Sequence, residues 1–135
     1  MPSISVHNAS NILMARPAIL VAEHEPAQAL SVRKLVLETA KYNVLTAHST
    51  REALDIFFMF PNVSIIVLVK DAAIEVDAIA KAIKEATTKI PIIVLSPVPG
   101  HKSVCADHNL SSYEPEQLLS LIRSLAGDPR EMPPK

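Results

Sequence analysis

Glycine is nearly absent from this chain: Gly100 and Gly127 are the only two in 135 residues. Loops that cradle phosphate and dinucleotide fingerprints need several glycines, so that the backbone can approach the ligand. Two isolated glycines cannot build one, which disfavours nucleotide-binding enzymes of those kinds. Cysteine is scarcer still. Cys105 stands alone and has no partner for an internal disulfide, so there is no stapled secretory framework. No apolar run approaches the roughly 20 residues that span a bilayer. The start, Met1 to Val6, lacks the cationic region and apolar stretch of a signal peptide. Excess charge is missing too: the formal net charge is −1, and the lysines and arginines are scattered. Without a basic patch nothing points to nucleic acid. These absences imply a cytoplasmic protein with no membrane segment.

What is present is apolar bulk. Hydrophobic residues make up 49% of the chain, too many for disorder and enough for one compact core. Residues 1–16 read as a leader, loose or folded back on the sheet, 17–126 as the domain, and 127–135 as a Pro-rich tail. Ala18 to Ala22 is a short apolar strand, and Pro26 opens a helix running to Ala40. Asn43 to Ala47 is a second strand. Ser49 and Glu52 have the spacing of a capping box, starting a helix that Pro61 stops near Phe60. Val63 to Val69, rich in β-branched residues, is the central strand. Val76, Ile79, Ala80, Ile83 and Ala86 follow at helical spacing. Ile90 to Leu95 makes a fourth strand, Val104 to Ala106 a weak fifth, and Pro115 opens a last helix with Leu118, Leu121, Ile122 and Leu125 on one stripe.

Strands alternating with helices imply a parallel sheet covered on both faces, a three-layer α/β sandwich. One connection breaks the pattern. Between Leu95 and Val104 lie Ser-Pro-Val-Pro-Gly-His-Lys-Ser, which cannot make a crossover helix. The fourth helix is missing or reduced to a turn.

Five segments in this order carry a resemblance. Ile19-Leu-Val-Ala-Glu-His-Glu-Pro26 is similar to the first strand and acidic loop of response-regulator receiver domains, the phosphoacceptors of two-component systems. Val36-Leu-Glu-Thr-Ala-Lys-Tyr-Asn-Val44 resembles their join from first helix to second strand. Glu52-Ala-Leu54, Pro91-Ile-Ile-Val-Leu-Ser96 and Pro115-Glu-Gln-Leu-Leu119 resemble three further family motifs. The resemblance covers about 17–126 and implies a flavodoxin-like sandwich with strand order 2-1-3-4-5.

The resemblance also implies a phosphorylation pocket, and here the sequence departs from the family. Of the two acids expected after the first strand to hold Mg²⁺, Glu23 is present, but His24 replaces the second with a nitrogen ligand that suits Mg²⁺ badly. The phosphoacceptor position falls on Val69, which has no nucleophile. Ser96 keeps the hydroxyl after the fourth strand, while the lysine expected after the fifth is Ser111. Lys41 stands where the family has glycine, a backbone position that favours left-handed φ.

The resulting expectation is a degenerate, stand-alone pseudo-receiver, not an enzyme and without a cofactor, that signals through protein partners without being phosphorylated. The nine residues after Ala126 leave no room for an output domain. The competing reading is an active phosphoreceiver using Asp71, with Glu23 or Glu25 holding Mg²⁺. A third is a small-molecule site near Glu23, Val69 and Ser96. A metal site at His24 with Asp71 lacks ligand spacing, and Cys105 with His108 reads as structure, not as a nucleophile and base.

Two apolar surfaces stand out as interaction sites. In the greasy second helix, Leu54, Phe57 and Phe58 pack on the sheet, leaving Ile56, Met59 or Phe60 for a partner or for the following loop. The missing fourth helix uncovers one face of the fourth and fifth strands, with Ile93, Leu95 and Val104 pointing outward. The leader, a second copy in a homodimer, or another protein would then supply the cover.

Overall fold

The computed structural model describes residues 16–24, 31–98, 100, 102–111 and 114–131. Five parallel strands lie in the order β2-β1-β3-β4-β5: β1 Ala18–Ala22, β2 Asn43–Ala47, β3 Ile65–Val69, β4 Ile92–Ser96 and β5 His108–Ser111. Four α-helices accompany them: α1 Val32–Thr39, α2 Thr50–Met59, α3 Val76–Ala86 and α4 Pro115–Ala126. This is the three-layer, flavodoxin-like sandwich that the alternation and the resemblance imply. The proposed leader, apart from Arg16, lies outside the described residues, as do Glu25, Pro26 and the end of the tail.

Each face of the sheet has its own core. Leu20, Ile66, Leu68, Ile92 and Val94 face α2 and α3, against Phe57, Ile79 and Ile83. Ile19, Val21, Val67, Ile93 and Leu95 face α1 and α4, against Leu37, Leu118 and Ile122. β3 and β4 are buried on both faces, which is why they read as unbroken apolar runs. Each such side chain contributes about 2 kcal/mol of burial.

Local chemistry sets the helix ends. Ser31 caps α1, its Oγ accepting the Lys34 amide at 3.0 Å. Ser49 caps α2 by accepting the Glu52 amide at 3.1 Å, while Glu52 Oε1 reaches back to the amide of His48 at 2.6 Å. α1 closes in a Schellman motif. Lys41 has φ 76°, its amide donating to Glu38 O at 2.9 Å and that of Tyr42 to Leu37 O at 3.1 Å.

No helix joins β4 to β5 among the described residues. The connection carries the cover itself: Cys105 and Ala106 pack on the Ile92–Val94 side of the sheet. Ser103 is buried, its amide donating to Asn109 Oδ1 at 2.8 Å and its hydroxyl donating to Asp77 Oδ1. Asp107 Oδ2 accepts the Ile92 amide at 2.7 Å and Lys84 Nζ at 2.6 Å.

This arrangement corrects three expectations. The fifth strand is His108–Ser111, not Val104 to Ala106. Ile93 and Leu95 are not outward: both are buried under α4, because their parity puts them on the face that keeps its helices. The side left without a helix is that of Ile92 and Val94, and the loop closes it. Val104 does point to solvent, 94% exposed.

At the C-terminal end of the chain, residues 127–131 stay on the domain. Tyr42 Oη donates to Gly127 O at 2.5 Å, Pro129 is buried, and Asp128 pairs with Arg130 at 3.0 Å.

Candidate functional site at the C-terminal edge of the sheet

Parallel strands bring their C-terminal ends to one edge, and the predicted pocket residues arrive there together. Register pairs Ala22 with Leu68, so Glu23 follows beside Val69, and Val69 in turn pairs with Leu95, the residue before Ser96. Ser96 pairs with Ser111.

Glu23 is buried and held on every side. Its amide donates to Ala47 O at 2.9 Å, and His48 Nδ1 lies 3.1 Å from its carbonyl oxygen. The Ser31 hydroxyl donates to Oε2, and Arg33 Nε donates to Oε1 at 2.9 Å. The first turn of α1 therefore supplies both a hydroxyl and a cation to this carboxylate. Sequence reading missed Ser31 and Arg33. The signal available was the cap position of Ser31 before an amphipathic helix; the pairing of Arg33 with a residue ten positions earlier had none.

His24 is exposed at the end of β1, and Val69 is buried at the end of β3. Ser96 is buried, with its Oγ accepting the Val98 amide at 3.1 Å. Asp71 is exposed, and its Oδ1 closes a turn by accepting the Ala73 amide at 3.0 Å. Among the described residues no three His, Cys, Asp or Glu side chains converge as a metal site. A depression of about 390 Å³ includes Ser96, Ser111, Asn109 and Glu114 but neither Glu23 nor Val69. Lys102 also lines it, a cation from the loop that replaces the helix and one with no motif to mark it in the sequence.

The second proposed surface needs one revision in α2. Ile56 is half-buried against the core, and Phe57 is fully buried. Phe58, expected on the sheet, is exposed together with Met59 and Phe60.

No family model matches the chain, and no curated protein does. Solved structures do. A response regulator receiver domain protein from Clostridium thermocellum is 26% identical, covering 85% of this chain and 97% of that one, with a TM-score of 0.68. The response regulator TrrA from Thermotoga maritima, solved with Mg²⁺ and BeF, is 25% identical over 81% of this chain and 98% of its own, with a TM-score of 0.66. TrrA bound to the histidine kinase ThkA matches with a TM-score of 0.65 and 24% identity, over 82% of this chain and 98% of that one. The fold shared with them is the receiver fold. No described helix is long and apolar enough to cross a membrane.

Proposed function

We propose that this chain is a cytoplasmic receiver-like signalling module that works through protein partners without accepting a phosphoryl group, and that it is not an enzyme. The observation that carries the reading is the state of Glu23. Its two carboxylate oxygens are engaged by Ser31 and Arg33, and the strand end beside it offers Val69 and no nucleophile. A divalent cation needs several free hard oxygens in near-octahedral array. Here one carboxylate is already paired with a cation, the next residue is an imidazole, and the Val69 side chain contributes no oxygen. Among the described residues the donor set does not fit Mg²⁺, and no phosphoryl-transfer step is derived through it.

The competing acceptor, Asp71, sits on an exposed turn with its Oδ1 accepting a backbone amide. Ser111 stands where a lysine would follow β5, and Lys102 lines a depression that includes neither Asp71 nor Val69, so little would stabilise a phosphoryl group transferring to Asp71. Signalling then rests on surfaces. TrrA, similar in fold, is bound to a histidine kinase in one of its structures, and contact with a protein of that kind suits this reading.

Backbone NMR spectra recorded in millimolar Mg²⁺ and then with beryllofluoride test it. The expected result is no saturable shift at the amides of Glu23, Asp71 and Ser96. Saturable shifts there would restore the phosphoreceiver reading.

A further inference from the structure

Among the described residues, β2 is an edge strand that nothing blunts. Its one described neighbour is β1, and its sequence, Asn-Val-Leu-Thr-Ala, has neither charge nor proline, the usual guards against edge-to-edge pairing. Bonds to the neighbouring chain fix which backbone groups face outward. The Asn43 amide donates to Pro17 O and the Ala47 carbonyl accepts from the Glu23 amide, so Asn43, Leu45 and Ala47 turn toward β1. The N–H and C=O groups of Val44 and Thr46 turn the other way, with no backbone partner among the described residues.

The surroundings of that edge are apolar. α1 and α2 are the helices that pack on β2, and they carry most of the large hydrophobic side chains left in solvent. On α1 these are Val32 and Leu35. At the end of α2, Phe58, Met59 and Phe60 are 59%, 67% and 47% exposed. An open groove of about 860 Å³ at the N-terminal end of the sheet is lined by Val44, Leu45 and Phe60 together with Arg16, Glu38 and Asn62.

We propose that β2 is a homodimer interface, pairing antiparallel with β2 of a second copy about a two-fold axis at Leu45. The occupant is named by self-complementarity. In an antiparallel ladder, residues facing each other exchange both bonds at alternate positions. With the axis at Leu45, Val44 meets the partner's Thr46 and Thr46 meets the partner's Val44. All four outward groups of each strand are then satisfied, without altering the pairing to β1. The contact is isologous and closes on itself, giving one continuous sheet through the dimer. Two short strands bury too little alone for a stable interface, and the exposed side chains of α1 and α2 supply the remaining apolar area. The inference is independent of the pocket reading above.

The test is sedimentation of the full chain across a micromolar concentration series, with amide hydrogen exchange followed in parallel. A concentration-dependent dimer is expected, with Val44 and Thr46 amides gaining protection as it forms. Thr46→Pro removes one outward donor per copy and should weaken the dimer roughly 30-fold. Met59→Lys, at a position 67% exposed at the helix C-terminus, where a cation suits the dipole, should weaken it as well. A monomer at every concentration overturns the proposal. So does a dimer indifferent to both substitutions. Protection of Val44 and Thr46 that does not depend on concentration also overturns it, because a segment of the same chain would then hold the edge.

Discussion

Arg33 Nε stands 2.9 Å from Glu23 Oε1, and only 4% of the Glu23 side chain is exposed. The pair joins the first turn of α1 to the end of β1, so a charge that would otherwise be stranded under the helix is matched from the helix itself. Removing one member of a buried pair leaves the other desolvated and alone, typically a loss of about 3–5 kcal/mol. Arg33 keeps 24% of its side chain in solvent, so the loss falls below that range. Arg33→Met should destabilise the fold by about 2 kcal/mol in urea unfolding. Adding Glu23→Gln should restore part of it, the coupling appearing in a double-mutant cycle.

Lys41 gives a prediction of opposite sign. At φ 76° it holds the left-handed position of the Schellman motif, where a side chain costs and glycine does not. Because Lys41 is exposed, nothing is lost in packing. Lys41→Gly should stabilise the protein by about 0.5–1 kcal/mol in the same unfolding assay, with the amide bonds to Glu38 and Leu37 unchanged.

That position was legible through the resemblance, which puts a glycine where Lys41 stands. The strands were legible in the residues themselves. Ile65 to Val69 and Ile92 to Leu95 are apolar throughout and mostly β-branched, and only a doubly covered strand tolerates that. The same uniformity hid the error at Ile93 and Leu95. With every position apolar there is no period-2 alternation to tell one face from the other, so the uncovered side could not be assigned. The fifth strand was hidden differently: His-Asn-Leu-Ser holds one large apolar residue, since an edge strand needs little more. The surroundings of Glu23 were the least legible part. Glu23 announces itself after an apolar run, but Arg33 looks like any polar residue on a helix until the fold brings the two together.

Asp107 ties the substitute loop to the sheet, and its acidity should show in stability. Burial opposes its charge, but the Lys84 and Ile92 hydrogen bonds and the charges of Lys84 and His108 outweigh this and pull the carboxyl below its usual value. A depressed carboxylate contributes stability above its unfolded pKa of about 3.9, and that contribution is lost as pH falls through the lower folded value. Wild type should therefore lose stability below about pH 4 more steeply than Asp107→Asn. Urea midpoints from pH 5 downward check this; parallel curves would mean the carboxylate does not hold the loop.

Tyr42 ties the other end of the molecule. It is buried beside Leu37, and its Oη donates to the Gly127 carbonyl at 2.5 Å, joining the Schellman turn to the end of α4. Burial raises the hydroxyl's pKa above 10.0, and the negative charge of Asp128 raises it further against the opposing pull of Arg123 and Arg130. A raised folded pKa means that the contribution is intact below the unfolded value and is lost as pH rises through the folded one. Tyr42→Phe removes the donor and leaves the carbonyl short of a partner, which should cost about 1 kcal/mol at neutral pH. It should also abolish the alkaline part of the stability loss. Phenolate absorbance followed through an alkaline titration measures the first quantity directly: of the two tyrosines in the chain, Tyr42 should ionise above the ordinary value. An ordinary titration would mean that the hydroxyl is solvated and that residues 127–131 are not held by it.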